Sequence, residues 1–99
     1  MERSYIKDVK PNSKVKIAGF IENLRDKKSM QFIVIKDITG KIQVTVEKEK
    51  LPQVAEVFSS VIVGSVVTII GEATINEYVK MGGIELIPES VEVNSVAEA

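Results

Sequence analysis

Ninety-nine residues with 13 Lys plus Arg, 14 Asp plus Glu and no Cys, His or Trp leave room for one small domain, taken as residues 1–99. Lacking Cys and His, the chain has no thiolate, disulfide framework, usual general base or commonest transition-metal ligand, which excludes most catalytic kits but leaves an Asp/Glu pair or a Lys able to do chemistry; no metal or cofactor is expected. The net charge of -1 hides a polarity, +5 over residues 1–50 and -6 over residues 51–99, so a fold that keeps the first half together offers anions a basic surface; two solvated faces are the plainer alternative.

The start, MERSYIKDVK, is too charged for a signal peptide, and no apolar run approaches the ~20 residues of a membrane span, so a cytoplasmic location is expected. The apolar residues include 15 Val and 13 Ile against 3 Leu, which favours strands because β-branched side chains lose rotamer freedom in helices. The Lys, Glu, Ile and Val bias also suits a thermophile. Lys14 to Leu24 alternates at first and becomes mixed after Gly19, a residue that marks a bulge or bend. Arg25 to Ser29 reads as a polar turn. Gln31–Lys36 and Lys41–Glu47 form a hairpin in which Lys36 faces Lys41, with Ile33, Ile35, Ile42, Val44 and Val46 on the core face. Phe32, Val34, Gln43 and Thr45 then share the opposite face.

From Lys50 to Val61 the period changes. Val54, Val57, Phe58 and Val61 fall at i, i+3, i+4 and i+7 behind Pro52, which predicts a short helix. Ser65–Ile75 is a strand interrupted by Gly71, Asn76–Gly83 a loop, and Gly83–Val93 a last strand broken near Pro88. Three strands, a helix and two strands is the order of the OB-fold, an all-β five-stranded Greek-key barrel with a short helix between strands 3 and 4. An SH3-like barrel competes, but a helix of roughly three turns fits it less well.

Phe32 and Gln43 are the leading functional candidates. An outward aromatic gives a base a stacking platform, and Gln both donates to and accepts from a base edge. On pattern alone the plainer reading, Phe32 closing a barrel end and Gln43 as polar filler, is the stronger one. Arg25, Lys27 and Lys28 sit before the second strand, where they can hold phosphates; the planar Arg fork suits this better, and for Lys27 and Lys28 plain solvated surface residues are the stronger reading. Glu85, between Ile84 and Leu86, points outward if its strand is regular and can accept from a base; otherwise it is a solvated strand residue. Asp26, Asp37, Glu47 and Glu49 form no evident acid/base pair, and no phosphate loop, nucleophile elbow or metal spacing is present.

The stretches YIKD, AGFIENLRD, QFIVIKDITGKIQV and GIELIPESVEV resemble the N-terminal anticodon-binding domain of aspartyl- and asparaginyl-tRNA synthetases, the archaeal-type aspartyl enzyme most of all. That resemblance implies that Phe32 stacks on the central anticodon uridine and Gln43 hydrogen-bonds it, that Glu85 contacts the first-position guanine, and that Arg25 touches the anticodon loop. The chain departs from the pattern in Phe20, where Trp is usual, in Lys28 and Ser29, where Gly-Gly is usual, and in Lys36, where Arg precedes the Asp. No class II catalytic domain is recognisable, so no aminoacylation is expected. The expected partner is the anticodon loop of an Asp- or Asn-type tRNA, with a synthetase catalytic domain in trans as a second. An excised domain and a free-standing paralogue both fit, the departures favouring the latter. The alternative functions are a generic single-strand binder and a protein-interaction module, the latter dimerising through an exposed strand edge.

Overall fold

Alternating β-branched and polar residues produce five strands in the computed structural model, which describes residues 1–79 and 82–97. They are β1 (Ser13–Asp26), β2 (Met30–Asp37), β3 (Gly40–Glu47), β4 (Val66–Ile75) and β5 (Ile84–Ser95), with the helix α1 (Pro52–Ser60) between β3 and β4. The strands close into a barrel in the order β1-β2-β3-β5-β4, the predicted OB-fold arrangement. Every neighbour pair is antiparallel except β3 with β5, which run parallel and share only the pairs Gln43 with Glu85 and Val44 with Leu86.

The β2–β3 register is the expected one, with Lys36 opposite Lys41. Ile33, Ile35, Ile42, Val44 and Val46 are accordingly all buried, in one cluster with Ile17, Ile21, Val67, Ile69 and Leu86. The helix begins at Pro52, whose missing N–H falls among the groups a first turn leaves unpaired anyway. It closes the barrel with Val54, Ala55 and the fully buried Phe58, a side chain whose burial contributes about 1.5–3 kcal/mol. Gln31, also fully buried, fastens the helix by donating from Nε2 to Ala55 O and Ser59 Oγ, each at 3.0 Å.

The irregularity expected at Gly19 lies elsewhere. β1 bulges at Glu22, the residue skipped between the pairs Ile21 with Ile35 and Asn23 with Val34. This extra residue resets the alternation, so Ile21 and Leu24 both turn inward and Arg25 turns outward beside Phe32. Arg25 and Asp26 are strand residues rather than part of the turn. Gly19 serves close approach instead, since a Cβ there would overlap the Lys36 carbonyl. Nor does Pro88 break β5. The strand continues through a bulge at Glu89, and the buried Pro88 lies opposite Gly71.

The DITG turn holds the N-terminal segment. Asp37 Oδ1 accepts from Thr39 N at 2.7 Å, Thr39 Oγ1 at 2.5 Å and Gly40 N at 3.1 Å, while Oδ2 accepts from Ile6 N at 2.9 Å. Burial of this carboxyl pushes its pKa up, but the hydrogen bonds from Thr39, Ile6 and Gly40 outweigh it and hold the group below the ordinary aspartate value.

Because the folded value lies below the unfolded one, near 3.8, the stabilisation from Asp37 is complete above that pH and is lost as pH falls through the folded value. Asp37→Ala is expected to cost about 1–3 kcal/mol at neutral pH and to flatten the loss of stability below about pH 4, measured by urea unfolding across pH. An unchanged acid limb would show that the carboxyl is not held as described. Gly19→Ala is expected to cost about 1–3 kcal/mol, whereas a Cβ at Gly40 meets nothing closer than Ile6 Cγ2 at 3.7 Å and should cost far less. Equal urea midpoints for the two variants would refute the close approach of β1 to β2.

Candidate nucleic-acid interface

The bulge, the hairpin register and the parallel seam bring four of the six predicted residues together on one outward face. Across β1, β2 and β3, Arg25 pairs with Phe32 and Phe32 with Thr45. In the next outward row, Val34 pairs with Gln43, Gln43 with Glu85 and Glu85 with Thr74. The Arg25 guanidinium carbon lies 5.0 Å from the centroid of the half-buried Phe32 ring, a cation–π contact. Lys27 and Lys28 are exposed in the β1–β2 turn, at the Arg25 end of the face. They form no ion pair among the described residues.

Two residues that sequence reasoning missed complete the face. Thr45 Oγ1 lies 3.1 Å from Gln43 Nε2 and 2.8 Å from Glu85 Oε2, and Asn76 Nδ2 donates to the same Glu85 oxygen at 3.2 Å. Thr45 is buried at 8 % exposure, so its hydroxyl is a link between side chains rather than a surface group. Its position on the predicted outward face was the one available signal. Asn76 sits just beyond β4, and nothing in the local pattern ties it to Glu85.

Other charges beside the face are already engaged. Lys48 Nζ meets Asp26 Oδ1 at 2.5 Å, and Ser59 Oγ donates to Asp26 Oδ2 at 3.1 Å. The hydrogen bond from Lys48, aided by Ser59 and Gln31, holds the Asp26 carboxyl below its ordinary value against some desolvation. Lys41 pairs with Glu22 at 3.0 Å, and Lys50 with Glu47 at 3.2 Å. Among the described residues, the cations without a carboxylate partner at this end are Arg25, Lys27 and Lys28. An aromatic ring, an amide, a carboxylate and nearby cations form a surface able to stack on, hydrogen-bond and neutralise a single strand.

Residues 15–94 match the tRNA anti-codon family, described as an OB-fold nucleic acid binding domain. The aspartate–tRNA(Asp) ligase of Picrophilus torridus is 39% identical over 97 residues, which cover 98% of this chain and 22% of the ligase. The aspartate–tRNA(Asp/Asn) ligase of Haloferax volcanii is 35% identical over 98 residues, again 98% of this chain and 22% of the ligase. Among solved structures, the asparaginyl-tRNA synthetase from Pyrococcus horikoshii complexed with asparaginyl-adenylate superposes with a TM-score of 0.87 at 27% identity, over 99% of this chain and 23% of that one. The chain thus spans less than a quarter of the length of the synthetases it matches. Fold, matched residues and relatives agree: the chain belongs to the tRNA anti-codon family of OB-fold nucleic-acid-binding domains.

Proposed function

We propose that this chain reads a tRNA anticodon loop, with Phe32 stacking on a central uridine and Gln43 hydrogen-bonding it, and that it does not aminoacylate by itself. The observation that carries the reading is the single outward strip formed by Arg25, Phe32, Thr45, Gln43 and Glu85. In the free protein Arg25 covers the Phe32 ring. An exposed cation–π contact is worth about 0.5–1 kcal/mol and base–aromatic stacking about 1–3, so a base displaces the guanidinium and frees it for a phosphate. Glu85 engages Thr45 and Asn76 through Oε2, which leaves Oε1 to accept from a neighbouring guanine and adds selectivity rather than affinity. Its ligase relatives support a tRNA of Asp or Asn type as partner; a synthetase catalytic domain as the enzyme it serves and a cytoplasmic location complete the proposed reading.

A second reading, a protein-interaction module, has one observation in its favour. A groove of about 380 Å³ is lined by Arg3, Gly19, Phe20, Lys36, Ile38 and Val66, all outside the strip, and Phe20 and Ile38 are exposed there.

The deciding experiment is binding to tRNA-Asp at low and moderate salt, beside a variant with cytidine at the central anticodon position. Anticodon reading predicts weaker binding of the variant, a loss of about 5- to 150-fold with Phe32→Ala, and a reduced uridine preference with Gln43→Ala. Binding indifferent to that base would reduce the role to generic single-strand capture, and no binding at low salt would favour the protein-interaction reading. Replacing both Lys27 and Lys28 with Ala is expected to lower the slope of log affinity against log salt by about 1.4 while preserving the uridine preference. An unchanged slope would remove both lysines from the phosphate path.

A further inference from the structure

The hydrogen bonds behind Gln43 can run in one direction only. The backbone N–H of Tyr78 donates to Asn76 Oδ1 at 3.1 Å, which turns Asn76 Nδ2 toward Glu85 Oε2 as a donor. The Glu85 carboxylate only accepts, so the Thr45 hydroxyl, 2.8 Å away, places its single hydrogen there. With no hydrogen left, Thr45 Oγ1 must accept, and its partner is Gln43 Nε2 at 3.1 Å. A reversed Gln43 amide would set two acceptor oxygens against each other. The one side-chain hydrogen bond of Gln43 among the described residues runs from Nε2 to Thr45, so the second Nε2 hydrogen and Oε1 are the groups left for a ligand.

We propose that Thr45 is a positioning residue that locks the polarity of the Gln43 amide and thereby lets it discriminate uracil from cytosine. The inference rests on the base-reading role of Gln43 proposed above. Uracil presents an N3–H donor beside the O4 acceptor, which matches an outward Oε1 and an outward Nε2 hydrogen. Cytosine presents the opposite order, an N3 acceptor beside an N4 amino donor. An amide free to turn over serves both bases; the Thr45 link, anchored through Glu85 and Asn76 to the Tyr78 backbone, removes that freedom.

The test measures affinity of the 99-residue chain for two anticodon stem–loops, with uridine or cytidine at the central position, beside its Thr45→Val and Thr45→Ser variants. Thr45→Val is expected to shrink the ratio of uridine-loop to cytidine-loop affinity by about tenfold, the equivalent of one modest hydrogen bond. Thr45→Ser keeps the hydroxyl and should keep the wild-type ratio. Damage to the face would weaken both loops together. That result, or an unchanged ratio in folded Thr45→Val, would overturn the role of Thr45 while leaving Phe32 and Gln43 as readers. A wild-type chain without uridine preference would overturn the base reading and the lock together. Independently of any variant, NMR of the wild-type chain should show a nuclear Overhauser contact between a Gln43 side-chain amide hydrogen and the Thr45 methyl, and its absence would overturn the lock.

Discussion

Closure of the barrel depends on the short parallel seam between β3 and β5, two residue pairs long. Pleating divides those pairs between two tasks. Val44 and Leu86 are fully buried and join the core, while Gln43 and Glu85 face outward. A slip of one residue in β5 would turn Leu86 out and Glu85 in, forfeiting about 1.5–3 kcal/mol of apolar burial and placing a carboxylate among aliphatic side chains. The apolar core therefore holds the polar site in register.

Charge is arranged less simply than the two halves of the chain suggest. Of the four ion pairs among the described residues, three lie within the basic first half and one, Lys14 with Glu89, joins it to the acidic second half. All are at least partly exposed and contribute about 0–1 kcal/mol each, so their main effect is to decide which cations stay available. What remains at the Arg25 end of the sheet is a small positive cluster rather than a broad basic face. Asp37 plays a different part, since its buried carboxyl meets four donors and ties Ile6, 31 positions away, to a turn.

The hairpin register was legible because one alignment of Ile33 and Ile35 with Ile42, Val44 and Val46 sends all five inward. The helix was legible because Val54 and Phe58 share one stripe of a 3.6-residue period. Phe32 and Gln43 stood out by chemistry on the polar face of that hairpin, and the family resemblance strengthened them. Thr45 stayed hidden because a threonine in a strand reads as ordinary β-propensity, and its role depends on Glu85, 40 residues away. Gln31 was hidden for the same reason, its partners Ala55 and Ser59 arriving only when the helix docks. Arg25 was misread as a turn residue because a bulge is a property of two strands together, and Glu22 looks unremarkable until β2 is laid beside it.

The order of the strands also sets an order of assembly. Arg25, Phe32, Gln43 and Thr45 all lie on β1, β2 and β3, consecutive neighbours joined by short turns. Asn76 and Glu85 come from the last quarter of the chain, and β5 reaches β3 only at closure. During synthesis from the N-terminus Arg25, Phe32, Gln43 and Thr45 leave the ribosome before Asn76 and Glu85, the partners that fix the direction of the Thr45 hydroxyl. If Phe32 holds a base and Gln43 chooses it, as proposed, the holding surface is made first and the choice belongs to the closed barrel, because Glu85 meets β3 only there.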